Sequence, residues 1–538
     1  MPLALLDRVR GNVADRVFEV GVLRRAGILG PSRPDRTVRV LKELATGGTT
    51  PAAAIRIAAI KYPDSEFIVD PRGALTFAEV DRRTDSLAAS FQQMGLGEGD
   101  SIAIMCRNHR GFIEAMLAAS KAGVAAIFLN TMFSGPQLVE VVSSEGASAV
   151  VHDAEFADLI AGLPDHVVTI LADGPDAERS LDLMIADPYS DLVAPRSKNT
   201  RFIILTSGTT GTPKGARRSS PKGLGPIAGL LDRIPHRSGE TMVVAAPLFH
   251  SWGFVNAILG LTLGARLVLD GRFDPARTME LVESHRAEVL VAVPVMLQRI
   301  LEFDRDSRLD VSPGVLEITT LSGSALPGDL ATRWMDRFGD NLHSLYGSTE
   351  VAFVSIAGPD ELRHDPSTAG RPPRGTDVRL LDDHSDEVPP GSTGRIFVRT
   401  GMAFEGYTGG ADKERIDGFV SSGDVGHFDG EGLLFVDGRD DEMIVSGGEN
   451  VFPAEVEDAI ARLEGVIEVA VIGVEDEKFG QALVAWVVVE SNSAPDEAEV
   501  RAHVKENLAS FKAPRDVFFI DRLPRNATGK VLKRELNP

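Results

Sequence analysis

Between residues 102 and 130 the chain spells a short apolar strand (102–106), a helix (111–122) and a second apolar strand (124–129). Strands joined by a helix-length crossover lie parallel, because such a connection returns the chain to the same end of a sheet. That single unit restricts the fold to α/β architectures. Further apolar strands are expected at 149–152, 202–205, 242–246, 289–293, 316–321 and 342–345, with helices over 278–285 and 296–303 between several of them. The spacing predicts a large α/β body with parallel sheets.

After Gly370 the pattern changes to short strands at 377–381, 394–399 and 433–436, punctuated by Pro389-Pro390-Gly391 and Asp437-Gly438. These read as a small β subdomain. Beyond Arg439 a compact α+β tail follows, with helices near 454–463 and 497–508 and strands near 468–472 and 482–489. The expected division is a helical N-terminal extension (1–50), a main domain (51–439) and a small C-terminal domain (440–538), the break falling near 439–441.

Composition narrows the functional classes. The formal charge of −22 argues against a nucleic-acid partner, which requires a basic surface. Any phosphate-bearing ligand must therefore be held locally. No apolar run approaches the roughly 18 residues of a membrane-spanning helix. The opening Met-Pro-Leu-Ala-Leu-Leu meets Asp7 and Arg8 at once, so it lacks a secretory apolar stretch, and a cytoplasmic location is expected. Cys106 is the only cysteine, which excludes an internal disulfide and a multi-cysteine zinc site. Residues 1–44 depart from the acidic trend, with nine Lys and Arg against five Asp and Glu. A basic segment bearing Leu and Val suits either an anionic membrane surface or packing on the main body.

Four polar clusters carry the chemistry. Thr206-Ser207-Gly208-Thr209-Thr210-Gly211-Thr212-Pro213-Lys214-Gly215 follows the strand at 202–205. Its glycines and small hydroxyl residues let backbone N–H groups approach phosphate oxygens, and Lys214 adds charge at the rim. The spacing is not that of a Walker A loop, because Pro213 precedes the lysine and Gly215 follows it. Pro247-Leu248-Phe249-His250-Ser251-Trp252-Gly253, Ser322-Gly323-Ser324-Ala325-Leu326-Pro327 and Tyr346-Gly347-Ser348-Thr349-Glu350 each follow another expected strand. Open parallel sheets bind ligands at that edge, so the four clusters predict one site.

Together with Ser422-Gly423-Asp424, Asp437-Gly438-Arg439-Asp440-Asp441 and Leu523-Pro524-Arg525-Asn526-Ala527-Thr528-Gly529-Lys530, this ordered set resembles the adenylate-forming superfamily of acyl-CoA synthetases, carrier-linked adenylation domains and luciferases. The resemblance implies a large N-terminal domain and a mobile C-terminal one. It implies Mg²⁺ held by Thr206 and Glu350, and ATP or AMP bound by Thr206 to Gly211, Lys214, Ser324, Ala325, Ser344, Tyr346 to Thr349, Asp424, Arg439 and Lys530. Asp424 would accept the ribose hydroxyls, and Asp441 would be the hinge. Lys530 would bridge the attacking carboxylate and the α-phosphate, with Thr206, Glu350 and His250 as the other catalytic positions. Ser446, Gly447 and Gly448 would admit the pantetheine arm of coenzyme A. His250, Trp252, Phe254 and Gly323 would line the acyl pocket, with His250 as its gate. Ser348 departs from the pattern, since many relatives place a larger apolar residue before Thr-Glu.

The expected function is ATP-dependent activation of a carboxylic acid to its acyl-adenylate, then thioester formation with coenzyme A. Pro247 to Gly253 lacks the aspartate that amino-acid-activating relatives carry, so an uncharged acyl tail is expected, a medium- or long-chain fatty acid first and an aryl or polycyclic acid as the alternative. An acyl-AMP ligase serving a carrier protein and, from another class, a non-catalytic AMP-binding regulator also stay open. So do a homodimer and a peripheral membrane contact through residues 1–44.

Overall fold

The computed structural model describes residues 2–30, 33–174, 178–186, 201–206, 214–219, 223–307, 309, 314–408, 410, 412–440, 444–446, 449–476, 480–490, 494–526 and 529–537. Three helices open the chain: α1 (Pro2–Arg25), α2 (Pro34–Gly47) and α3 (Pro51–Lys61). Thr50 caps α3 by accepting from Ala53 N–H at 3.2 Å, and Pro51 suits its first turn. Helix α1 packs on the helix Gly225–Arg233, tied there by Arg25 to Asp232 at 2.8 Å.

Two mainly parallel sheets form the body. The larger has the order Ala352–Ala357, Leu342–Ser348, Ile318–Leu321, Val289–Ala292, Thr241–Val244, Arg266–Val268, Glu66–Asp70, Gly73–Thr76, parallel inside and antiparallel at both edges. The second runs Val168–Leu171, Ala149–His152, Ser101–Met105, Ala125–Phe128, Arg201–Thr206, Lys214–Ser219, with only the last pair antiparallel. Inner strands such as Val289–Ala292 and Ala149–His152 are buried along their whole length, which is why they read as unbroken apolar runs. A buried ion pair links the sheets: Asp70, ending one strand, accepts from Arg110 Nε at 2.9 Å, and Arg110 opens the helix Arg110–Ala122 of the other sheet.

Two elements differ from the sequence expectation. The strand expected to stop at 345 continues to Ser348 and folds back antiparallel on Ala352–Ala357. Gly347 permits this, because a Cβ there would overlap the Ala352 carbonyl, and Ala352 itself takes a left-handed φ of 61° to make the turn. Likewise, Lys214–Ser219 is a strand that returns antiparallel along Arg201–Thr206.

The β subdomain is a five-stranded antiparallel sheet of Thr376–Leu381, Gly394–Thr400, Phe419–Phe428 and Arg415–Ile416, with Leu434–Arg439 added on Phe419–Phe428. The C-terminal unit has its own core, in which the helices Pro453–Ala461 and Glu497–Asn507 cover the sheet built on Val466–Asp476 and Gly480–Val489. The chain is pinned up to the junction. Asp437 accepts from Thr393 Oγ1 at 2.9 Å, Arg439 lies 3.6 Å from Asp424, and Asp440 accepts from Arg395 Nε at 3.1 Å. The expected hinge, Asp441, lies outside the described residues.

Candidate active site

The strand ends at one edge of the larger sheet bring three of the four clusters together. Ser324 and Ala325 follow Ile318–Leu321, Ser344 lies beside that strand in register with Leu321, and Tyr346 stands two residues further on. Gly323 has a φ of 99° and is exposed, which keeps the turn after this strand open. Of the fourth cluster, Ser207, Gly208, Thr209, Thr210 and Gly211 lie outside the described residues. Only the backbone of Thr206 and Lys214 is described, as paired positions of the two antiparallel strands.

Tyr346 donates its hydroxyl to Asp424 Oδ2 at 2.5 Å across the boundary between the body and the β subdomain. Asp424 is also paired in register with Arg439 on the neighbouring strand. Burial raises the Asp424 carboxyl above the ordinary range, against the opposing pull of the Tyr346 hydrogen bond and the Arg439, Lys530 and Lys413 charges. Burial pushes the Tyr346 phenol up as well.

Lys530 sits in a tight turn. Its N–H donates to Asn526 Oδ1 at 2.9 Å, its carbonyl accepts from Asn526 N–H at 2.9 Å, and Gly529 supplies a φ of 79°. Gly529 presses so closely on Val295, at the start of the helix Pro294–Ser307, that a Cβ would clash with it. The C-terminal unit therefore presents this turn to the main body with Lys530 still exposed. Ser446 is a strand residue whose backbone pairs with Gly480, and Gly447 and Gly448 lie outside the described residues.

Glu350 is buried beneath the hairpin turn. Its Oε1 accepts from Tyr407 hydroxyl at 2.7 Å and its carbonyl accepts from Phe404 N–H at 2.9 Å. Thr349 and Ser251 share a hydroxyl contact at 3.2 Å, which joins this turn to the His250 loop. A fixed carboxylate at the site edge suits a hard divalent ion such as Mg²⁺.

His250 stands at the N-terminus of the helix Ser251–Leu263, its ring 4.3 Å from that of Phe249. Its Nε2 is buried with no hydrogen-bond partner, and burial lowers its pKa to about 3, so it is neutral at physiological pH. Trp252 Nε1 is likewise buried and unpartnered. The Phe254 ring packs 5.0 Å from Phe128 and 4.9 Å from Phe202 in the body core.

Asn108 was not singled out by its sequence. Its Nδ2 donates to the carbonyls of Val244 and Ala246 at 3.0 and 2.9 Å, and its Oδ1 accepts from Leu248 N–H at 2.9 Å. It thereby fixes the chain leading into His250. The legible signal is its place just past the strand Ser101–Met105, at the same kind of edge that marks the other clusters. Next to it, His109 is committed to structure: one ring nitrogen accepts from Gly111 N–H at 3.0 Å and the other meets Asp153 at 2.8 Å.

The AMP-binding enzyme model matches residues 55–408, and the AMP-binding enzyme C-terminal domain matches 455–530. The chain belongs to the AMP-binding enzyme family. It is an adenylate-forming acyl-CoA synthetase, an AMP-forming acid–thiol ligase that converts an acid to its acyl-adenylate and then to its CoA thioester. It is 35% identical over 468 residues to a feruloyl-CoA synthase of Amycolatopsis sp, covering 86% of this chain and 93% of that protein. It is 31% identical over 495 residues to an indoleacetate–CoA ligase of Aromatoleum aromaticum, covering 89% and 94%. In structure it is similar to the o-succinylbenzoate CoA synthetase of Bacillus subtilis solved with its acyl-adenylate intermediate, with a TM-score of 0.80, 25% identity and coverage of 90% and 98%. This acyl-CoA synthetase has no helix, among its described residues, long and apolar enough to cross a membrane.

Proposed function

We propose that this synthetase activates an apolar carboxylic acid bearing a ring, in place of the straight-chain fatty acid first expected. The observation that carries this reading is the pair of uncharged, buried and unpartnered polar atoms two residues apart, His250 Nε2 and Trp252 Nε1, beside the Phe249 ring. Flat aromatic surface favours a ring, and an unpaired N–H rewards an acceptor on the substrate. Relatives named for feruloyl, indoleacetate and 2-succinylbenzoate point the same way.

In the first half-reaction a substrate carboxylate oxygen bonds to the α-phosphorus of ATP, and the bond to the bridging oxygen breaks to release pyrophosphate. Lys530 stabilises the charge that builds between carboxylate and α-phosphate, while Asp424 accepts from the ribose hydroxyls. Tyr346 lies against the adenine side of the site. Glu350, with Thr206, would hold Mg²⁺, which supplies charge neutralisation on the phosphates. In the second half-reaction the CoA thiol gives up its proton, its sulfur bonds to the acyl carbon, and AMP leaves. For this step the tail would turn towards the adenylate a different face from the one bearing Lys530.

The test offers Mg·ATP with a pool of ring-bearing and straight-chain acids, with and without CoA, and identifies products by mass. Ring-bearing acyl-CoA formed only with CoA is expected. Predominance of straight-chain acyl-CoA would overturn the proposed acid class, and acyl-AMP that accumulates without thioester would point to a carrier-protein acceptor.

A further inference from the structure

Helix α2 is amphipathic in the reverse sense to a helix packed on a protein. Its inward face carries Arg36, Glu43 and Gly47 with half-buried Val40 between them: Arg36 Nη1 donates to the Lys61 carbonyl at 2.8 Å, Glu43 is 7% exposed, and Gly47 closes on Ala53. Val38 and Leu41, at 67% and 60% exposure, lie on the opposite face with Pro34 and Ala45, and Leu44 flanks them at 40%. Spacings of three and four residues place Pro34, Val38, Leu41 and Ala45 in one stripe. Half of the twelve large exposed hydrophobic side chains among the described residues fall within residues 17–44: Val17, Val20, Leu29, Val38, Leu41 and Leu44. An apolar stripe turned outward marks an interaction surface.

Charge selects the occupant. The chain as a whole carries −22, yet residues 1–44 hold nine basic against five acidic side chains. On α2 the exposed Arg39 and Lys42 run along one edge of the stripe, together with exposed Asp35, which is paired with Arg33 at 3.3 Å. A stripe of Val and Leu bordered by Arg and Lys fits the boundary between acyl chains and anionic headgroups. We propose that α2 docks this enzyme, peripherally and reversibly, on an anionic lipid surface. The acidic remainder of the molecule is repelled by the same surface, which confines contact to the N-terminal face.

The full-length protein is sedimented with vesicles of phosphatidylcholine alone, or with about one-third phosphatidylglycerol added. The expected result is binding about tenfold stronger to the anionic vesicles, falling as salt rises to about 0.5 M. Val38→Asp/Leu41→Asp and, separately, Arg39→Glu/Lys42→Glu each remove it while acid-dependent pyrophosphate release stays unchanged. Because the second variant leaves the apolar stripe intact, misfolding cannot account for both losses. Absence of binding to anionic vesicles, or binding that survives both variants, overturns the proposal. So does a concentration-dependent dimer that Val38→Asp/Leu41→Asp dissolves, which would make a second copy the occupant.

Discussion

The hydroxyl of Tyr346 donates to Asp424 Oδ2 at 2.5 Å, one of the hydrogen bonds that join the end of the large sheet to the β subdomain. The bond holds the Asp424 carboxylate in place, but burial raises its pKa above the usual range. A carboxyl whose folded pKa is raised contributes stability that is full below its unfolded pKa and is lost as pH rises through the folded value. Asp424→Asn is therefore expected to raise the thermal midpoint at neutral pH while lowering kcat/KM for ATP about 10- to 100-fold. Thermal melts at pH 5 and 8 beside ATP saturation curves check both halves, and a drop in midpoint at pH 8 would contradict the electrostatic reading.

His250 titrates in the opposite sense. Burial lowers its pKa to about 3, so the folded protein refuses a proton that the unfolded chain takes up below its ordinary range. Its share of stability is lost as pH falls from about 6.5 towards 3. His250→Phe should flatten the acid limb of the midpoint-against-pH curve. The pH profile of adenylation should show no inflection near 6.5 that this substitution removes.

Asn108 makes three buried hydrogen bonds to the chain that leads into the His250 loop. Asn108→Ala leaves Val244, Ala246 and Leu248 backbone groups unpaired, with an expected cost of about 2–4 kcal/mol in denaturant unfolding. If the loop it steadies lines the acyl site as proposed, KM for the acid rises more than KM for ATP. Equal rises would assign Asn108 to general stability alone.

Under the proposed mechanism the turn bearing Gly529 and Lys530 acts in the first half-reaction only. Gly529→Ala adds strain at φ 79° and a clash with Val295, and should slow adenylation roughly tenfold, about 1.4 kcal/mol. Val295→Ala in the same chain should recover part of that loss. Lys530→Ala should cost adenylation roughly 10²- to 10³-fold, the scale of removing one positioned charge. In both variants thioester formation from supplied acyl-adenylate is expected to survive. Equal loss in the two half-reactions would remove Lys530 from the first.

What the chain determines locally was legible without coordinates. The strands at 149–152 and 289–292 and the helices at 110–122 and 497–507 follow from apolar runs, 3.6-residue periodicity and caps, which depend on neighbours a few residues apart. The order of the motifs, from Thr206 to Lys530, is also a property of the sequence. Tertiary structure decided the rest, because burial and partner identity arise between residues distant in the chain. It extended the strand through Tyr346 to Ser348 by giving it Ala352–Ala357 to pair with. It turned Phe254 towards Phe128 and Phe202 and assigned Asn108 its three partners 136 to 140 residues away. A helical wheel of α2 displays its apolar stripe, but only packing against α3 shows that the stripe faces outward.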